Sequence, residues 1–463
     1  MGERLVVVGG GMAAVRLVEG LVGSPWHVTV LSEEDHPPYN RILLSAVLEG
    51  AHAPDALTLR SQEWFDEHGV DLRLGTRVEE VDRTAHEVVL VGGARVPYDR
   101  LVLATGAIPT LPPIRGLVRP DGTLHPSVHP FRSLADCRRL DAAVAAGRRA
   151  VVVGGGLLGL QVARALAVRG VDTEVVEGAE HLLASQVDPA GGEILARDLR
   201  RLGTEVYAGA RAVRLHPRET GGAGLRLDNG HVLETDLVVL TAGGRPSTAL
   251  ARRAGLMVRR GVVVDSTLAS VTDARIHAIG DCASHRGRVT GFVPPAWEQA
   301  GVLAAVLRGE EASYDGSRSV ARLRATGLDV AVLGEPTRAT GQVVEMSNPV
   351  TGSHRRLVVD GGRIVAAALV GDLSRVGLIT QLYDRGTILG NAEPGALLAP
   401  ERVDLDPAAV VLPDEAEVCA CAGVTAGAVR ACASYDDCRE RTRATTGCGG
   451  CVSVVRSLLT ASA

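Results

Sequence analysis

The chain has no lysine, and all 49 of its basic residues are arginine. Schiff-base and lysine-relay chemistry is therefore excluded. Aromatic residues make up only 3% of a sequence that is 46% hydrophobic. Its cores must then be built from Val, Leu, Ala and Ile, as suits parallel sheets buried on both faces. A basic excess is missing too: the formal net charge is −5, which argues against nucleic acid as the main partner. No stretch approaches the roughly 20 apolar residues of a spanning helix. The apolar run at residues 5–8 flows straight into a glycine turn, so it reads as a strand and not as a signal peptide. A soluble, cytoplasmic protein is expected. In that compartment eight cysteines point to metal or redox work before disulfides. At 463 residues the chain is too long for one ordinary core, and several domains are expected.

Two glycine fingerprints stand in equivalent settings. The first, Gly9, Gly10, Gly11, Met12, Ala13 and Ala14, follows the opening strand and leads into apolar positions at helical spacing over residues 12–22. A second strand at 28–31 ends in Ser32, Glu33 and Glu34. Strand, glycine turn, helix, strand and a trailing acid form a dinucleotide-binding unit. The glycines let the backbone approach a pyrophosphate at a helix N-terminus, and the acid meets ribose hydroxyls. The pattern returns as a strand at 150–153, the turn Gly154, Gly155, Gly156, Leu157, Leu158 and Gly159, a helix to Val168, and a strand ending at Glu177. Two units imply two dinucleotides. An acid at Glu177 suits a free 2′-OH and repels a 2′-phosphate, which favours NADH over NADPH; the plainer reading is an acid that merely ends a strand.

Further strand ends at Ala104, Thr105 and Gly106, at 237–246 with Gly243, and at Gly280 and Asp281 would return the chain to the carboxyl edge of a sheet, where open α/β folds bind ligands. Beyond about residue 316 the stretches 328–333 and 356–365 read as antiparallel hairpins. Residues 392–416, rich in Pro, Ala, Glu and Asp, read as a linker.

Near the carboxyl end stand two close cysteine pairs, Cys419 with Cys421 and Cys448 with Cys451. Four thiolates so grouped suit an iron–sulfur cluster. Gly449 and Gly450 would let the chain fold tightly round it, with backbone amides donating to sulfur. Structural zinc is the rival occupant. Cys432 and Cys438 between the pairs, and Cys137 and Cys282 upstream, read as small buried residues. Arg439, Arg441 and Arg443 read either as a solvated face or as a patch steering an acidic redox partner.

The segment Glu33, Glu34, Asp35, His36, Pro37, Pro38, Tyr39, Asn40, Arg41, Ile42, Leu43, Leu44 and Ser45, with the two fingerprints, resembles the pyridine nucleotide-disulfide oxidoreductase superfamily. The branch is that of apoptosis-inducing factor and the ferredoxin reductases, and the likeness covers about residues 1–395. It implies an α/β fold with two Rossmann-like dinucleotide-binding domains, one for FAD at 1–113 and 247–315 and one for NADH at 114–246. A small α+β interface domain at 316–395 and a linker at 396–416 follow. The resemblance assigns FAD to Gly9, Gly11, Met12, Ala13, Ala14, Glu33, Glu34, Arg41, Ala104, Thr105, Gly106 and Asp281. Within that set the acid pair falls to the adenosine ribose, Arg41 to the diphosphate and Asp281 to the ribityl chain. NADH falls to Gly154, Gly156, Leu157, Leu158, Gly159, Glu177 and Gly243. Pro295, Trp297 and Glu298 begin a helix that in this superfamily passes near the flavin ring.

Two departures from the branch stand out. Ala46 and Gln161 occupy positions where it often carries a Lys–Glu ion pair beside the flavin; the joint loss is coherent, because one buried partner alone would be costly. The superfamily's CxxxxC is absent as well, and Ser45 and Ala46 stand near where a single peroxidatic cysteine would fall. The carboxyl-terminal thiolates thereby become the flavin's expected electron acceptor.

About residues 417–455 of the carboxyl-terminal stretch 417–463, with Val424 and Thr425 after the first pair and the run TTGCGGC, are similar to the bacterioferritin-associated-ferredoxin-like 2Fe–2S domain of nitrite reductase large subunits. This implies a small helical domain with a cluster on Cys419, Cys421, Cys448 and Cys451. The expected order is NADH, FAD, 2Fe–2S cluster and a separate electron-accepting protein. The arrangement most resembles the electron-transfer subunits of assimilatory nitrate reductases, whose acceptor is a molybdenum-containing subunit. Other readings are a reductase of ferredoxin or rubredoxin for an oxygenase, a flavin subunit of an opine or amine dehydrogenase, and an NADH-responsive redox sensor or scaffold.

Overall fold

The computed structural model describes residues 2–145, 147–218, 221–318, 320–325, 327–390, 393–399, 412–419, 422–447 and 451–461. Successive side chains of a strand point to opposite faces, so an unbroken apolar run needs cover on both. The run Leu5, Val6, Val7 and Val8 has it, each residue being buried. Its strand, Arg4–Val8, lies parallel between His27–Leu31 and Arg100–Leu103. These three belong to an eight-stranded sheet that Asp71–Arg73 closes on one side. On the other side stand Asp273–Ala278, Ala269–Ser270, Val262–Val264 and Ala283–His285. One sheet is thus assembled from the beginning of the chain and from a segment more than 150 residues later. Helices Met12–Leu21 and Val293–Leu307 pack together on one face. The antiparallel strands Val78–Asp82, Glu87–Leu90 and Arg95–Pro97 contribute Val78, Val81, Val88, Leu90 and Val96 to the same core.

The second fingerprint sits in the second parallel sheet. Arg149–Val153 lies between Asp172–Glu177 and Leu237–Leu240, with Thr204–Ala208 and Val128–Pro130 outermost. In both sheets the chain leaves the fingerprint strand for one neighbour and later returns on the other side. That is the switch point at which open parallel sheets form a ligand crevice.

Past residue 318 the sheet becomes antiparallel, with strand order Val320–Ala325, Leu328–Leu333, Arg363–Val370, Ser353–Asp360 and Gln342–Asn348. Helix Val376–Arg385 covers it through Ile379 and Tyr383. Leu398, inside the stretch whose composition suggests a linker, is buried in this core. Leu398, with Leu397 packed beside it, anchors a segment that composition alone marks as loose. Residues 400–411, most of the expected linker, lie outside the described residues.

The described carboxyl-terminal residues form a small hairpin, Glu417–Cys419 with Val424–Thr425, and the helices Ala426–Arg430, Tyr435–Thr442 and Val452–Ala461. Val424, Val429, Ala444, Val455 and Leu458 pack there around Cys419, Cys432, Cys438 and Cys451. Among the described residues no helix is long and apolar enough to cross a membrane.

Candidate functional site

Each fingerprint presents an uncapped helix N-terminus to open space. Gly9 and Gly154 adopt φ of +114° and +119°, where a side chain is strained. A Cβ on them would stand 2.3 Å from the Ala104 carbonyl oxygen and 2.7 Å from that of Thr241. These two glycines are required by the turn. Gly11 and Gly156 cap helices Met12–Leu21 and Leu157–Val168 without any side-chain hydrogen bond, and a Cβ there would meet nothing within 4 Å. Free amides and the positive end of the helix dipole so face room that a methyl group would occupy, which fits a dinucleotide pyrophosphate at each terminus. Gly159 brings its helix against the turn, since a Cβ would lie 1.8 Å from the Gly154 carbonyl oxygen. In the first unit buried Ala14 takes the corresponding place.

A cavity of 650 Å³ opens from the first fingerprint. Gly9, Gly11, Met12, Ala13, Glu33, Glu34, Arg41, Ala104, Thr105, Gly106 and Asp281 line it, leaving only Ala14 of the expected FAD set outside. The helix of the second fingerprint contributes Leu157, Leu158 and Gln161 to the same wall. Val320, Ala321 and Arg322 of the antiparallel sheet complete it. Gly154, Gly156, Gly159, Glu177 and Gly243 lie outside this cavity, as do Pro295, Trp297 and Glu298. The helix begins at Val293, and its residues Val293, Pro294 and Ala296 face the cavity instead. Its rotation turns Trp297 away, so that the indole Nε1 donates to the Met12 carbonyl at 3.2 Å while Glu298 is exposed.

Charge in the wall is paired across elements. Glu34 accepts from Tyr39 Oη at 2.9 Å and from the Arg41 guanidinium. Tyr39 Oη in turn accepts from the Leu134 amide at 2.9 Å, and burial holds this phenol above its ordinary range. Glu33 is exposed and stands 3.5 Å from Arg77. Asp281 is bound by Arg132, whose Nη2 lies 2.6 Å away while its Nε donates to Ala107 O at 2.9 Å. Sequence reasoning passed over Arg132. The signal available was the capping box of Ser133 and Asp136 on helix Leu134–Val144, which places the preceding residue at a helix entry but does not show that it faces a cavity. Gln161 lines the cavity, whereas Ala46 does not.

Glu177 reaches back to its own fingerprint. Its carboxylate accepts from the Gly155 amide at 2.6 Å and the Ala179 amide at 2.8 Å. A carboxylate has about four acceptor sites, so the group that braces the turn retains capacity for ribose hydroxyls.

In the carboxyl-terminal module Cys419 and Cys451 are buried, while Cys421 and Cys448 lie outside the described residues. The Thr445 amide donates to Cys451 Sγ at 3.2 Å, and Thr445 Oγ1 is buried with no partner among the described residues. A sulfur that accepts a backbone amide, next to an orphaned hydroxyl, fits a site built for more sulfur than one thiol supplies. Burial, reinforced by the neighbouring Cys438 thiol, pushes Cys432 up to about 11. Burial likewise pushes Cys137 up to about 11 and Cys282 upward. All three stay thiols at neutral pH. Arg443 departs from the expectation of a solvated face: it is 6% exposed and paired with Glu19, over the ring of Trp297. Glu19 lies 424 residues away in sequence, beyond the reach of local charge patterning. Arg441 is exposed, and Arg439 donates to the Ala56 carbonyl at 3.3 Å.

The sequence profile of the family described as pyridine nucleotide-disulphide oxidoreductase matches residues 3–300. A nitrite reductase [NAD(P)H] of Bacillus subtilis is 33% identical over 99% of this chain and 57% of its own length. An assimilatory nitrate reductase electron transfer subunit of the same organism is 30% identical over 99% of this chain and 59% of its own length. The chain therefore spans a little over half of these curated relatives. Among solved structures, the covalent putidaredoxin reductase–putidaredoxin complex aligns with a TM-score of 0.77 and 25% identity, covering 85% of this chain and 95% of that one. Two helix termini shaped for dinucleotides, a cavity lined from both units and a family match through both lead to one assignment: the chain belongs to the pyridine nucleotide-disulphide oxidoreductase family.

Proposed function

We propose that the protein takes electrons from NADH and delivers them one at a time, through its carboxyl-terminal module, to a separate protein, the catalytic molybdenum subunit of an assimilatory nitrate reductase. The observation that carries this reading is the shared cavity. Residues of the first fingerprint and of the helix opened by the second form one wall, so a nicotinamide held by one unit would meet a flavin held by the other. The likeness to an assimilatory nitrate reductase electron transfer subunit supports the choice of acceptor.

FAD bound there supplies the conversion between hydride and single-electron chemistry, and a 2Fe–2S cluster on Cys419, Cys421, Cys448 and Cys451 supplies the one-electron outlet. The chain's own residues do the rest. Gly11 and the amides behind it would receive the FAD pyrophosphate, with Arg41 as the matching fork. Glu33 and Glu34 would meet the adenosine ribose, and Asp281, oriented by Arg132, the ribityl hydroxyls. Gly156 and Glu177 would hold NADH. Leu157, Leu158, Val293, Pro294 and Ala296 give the cavity an apolar wall that excludes water from a hydride. A second reading, with a free iron–sulfur protein as acceptor, draws on the likeness to the putidaredoxin reductase complex.

Cys448→Ser tests the order of the wire. NADH oxidation by ferricyanide, which draws electrons at the flavin, should persist while reduction of the nitrate reductase catalytic subunit is lost. Equal loss of both would show that the thiolates do not lie downstream of the flavin. Wild-type protein that reduces a ferredoxin but not that subunit would favour the second reading.

A further inference from the structure

The segment 443–447, which leads into Cys448, is fastened to the wall of the flavin cavity from two sides. Asn40 makes the first attachment. It is 2% exposed; its Oδ1 accepts from the Ile42 amide at 3.0 Å and caps the short turn Arg41–Leu43. Its Nδ2 donates to the Gly447 carbonyl at 2.8 Å and also to the Thr446 carbonyl. With two carbonyls on one side and an amide N–H on the other, the side-chain amide has a single satisfied orientation, and both its N–H donors are used. The next residue, Arg41, lines the cavity, and Gly447 immediately precedes a proposed cluster ligand.

Trp297 and Glu19 make the second attachment. The indole of Trp297 is tied to the carbonyl of Met12, a cavity residue, and carries the Arg443 guanidinium 6.0 Å above its ring. Arg443 pairs with Glu19 on the helix that Met12 begins, and Arg60 braces Glu19 at 2.9 Å while donating to the Glu440 carbonyl at 3.3 Å. Burial draws Arg443 down to about 10, so it keeps its charge at neutral pH and holds the acid. The segment's backbone bears the same mark. Arg443 and Thr445 sit at φ of +63° and +67°, a conformation that non-glycine residues keep only where the surroundings enforce it.

Building on the cluster reading above, we propose that Asn40 is a positioning residue that seats segment 443–447, the stretch leading into Cys448, against the wall of the flavin cavity, so that electrons leave through a fixed contact and not through a swinging module. Asn40 touches neither cofactor in this assignment. It acts through the carbonyls of Thr446 and Gly447.

Asn40→Asp and Asn40→Ser test this while keeping a capping oxygen for the Ile42 amide. Aspartate loses both donors and turns a carboxylate toward two carbonyls; serine leaves the carbonyls without a reach. Four readouts are taken on the full chain. Hydrogen exchange of peptides spanning 443–447, measured without NADH, should accelerate in both variants. Stopped-flow bleaching of the flavin by NADH, and NADH:ferricyanide turnover, should match wild type. The step from reduced flavin to the EPR-active cluster should slow by roughly tenfold or more, the scale on which small misplacements act. Unchanged exchange at 443–447 would overturn the seating, and faster exchange with an unchanged flavin-to-cluster rate would overturn its role in electron exit. If wild-type protein gives no 2Fe–2S signal, the cluster reading falls, while the exchange data still decide whether Asn40 seats the loop.

Discussion

Replacing Gly156 by alanine should separate cofactor binding from folding. Gly156 has φ −80° and ψ 178°, which alanine adopts without strain, and the added methyl meets no protein atom within 4 Å. The reduced freedom of the unfolded chain favours alanine by about 0.4–1 kcal/mol. Alanine is a poorer helix cap than glycine by roughly the same amount. The two effects nearly cancel, so the unfolding midpoint of the NADH-free protein should move by no more than about 2 °C. The same methyl occupies the room in front of the helix terminus, where a pyrophosphate would approach the amides. Crowding of this kind costs about 1–3 kcal/mol, a rise of about 5- to 150-fold in the NADH dissociation constant. Calorimetric titration of flavin-loaded protein with NADH, checked for an unchanged FAD content, measures it. Gly154→Ala is the contrast: its Cβ would stand 2.7 Å from the Thr241 carbonyl oxygen at φ +119°, so it should lose stability outright. NADH binding at wild-type strength in Gly156→Ala, or unfolding as easy as that of Gly154→Ala, would refute the reasoning.

Three further outcomes are expected. His277 is 4% exposed and burial pulls its imidazole from 6.5 down to about 4. Its folded value lies below the unfolded one, so its contribution is whole above about pH 6.5 and is lost as acid charges the unfolded chain, by up to about 3 kcal/mol near pH 4. Urea midpoints across this range should fall less steeply in His277→Leu, and parallel slopes would count against the assignment. Glu177→Ala removes the acceptor for two turn amides along with the ribose acid, and should narrow the preference for NADH over NADPH by about tenfold in kcat/KM; an unchanged ratio would discredit its role. Glu19→Gln leaves Arg443 buried beside a neutral partner, a change worth about 3 kcal/mol. The carboxyl-terminal fragment should then be released sooner under limited proteolysis, and Glu19→Gln with Arg443→Met should recover part of the loss; additive losses would show that the pair is not coupled.

What could be read from sequence was what local backbone chemistry dictates. The strand of residues 5–8 was expected from its unbroken apolar run, because only a strand covered on both faces buries one. The two turns followed from glycines where a Cβ would strike the neighbouring strand's carbonyl. Eleven of the twelve residues assigned to FAD line one cavity. Contacts set by docking, and not by spacing, were not legible. The helix of Trp297 was foreseen, but not its rotation: the indole donates to Met12 O, and Val293, Pro294 and Ala296 line the cavity while Pro295, Trp297 and Glu298 do not. Arg132, in the bend between strand Val128–Pro130 and helix Leu134–Val144, and Arg322, on strand Val320–Ala325, enter the cavity from separate elements, and nothing near them in sequence marks that convergence. Arg443 looked like one of a row of surface arginines because its acid lies in the first helix. Asn40 sat inside a recognisable segment, yet its partners are 406 and 407 residues away.

The most direct measurement is an anaerobic titration of the purified protein with NADH, following flavin absorbance together with low-temperature EPR and metal analysis. Electron flow from NADH to the cysteine module requires the flavin to bleach and a reduced 2Fe–2S signal to grow with it. Bleaching without any such signal, in protein that holds zinc or that holds iron which NADH leaves oxidised, would contradict that flow.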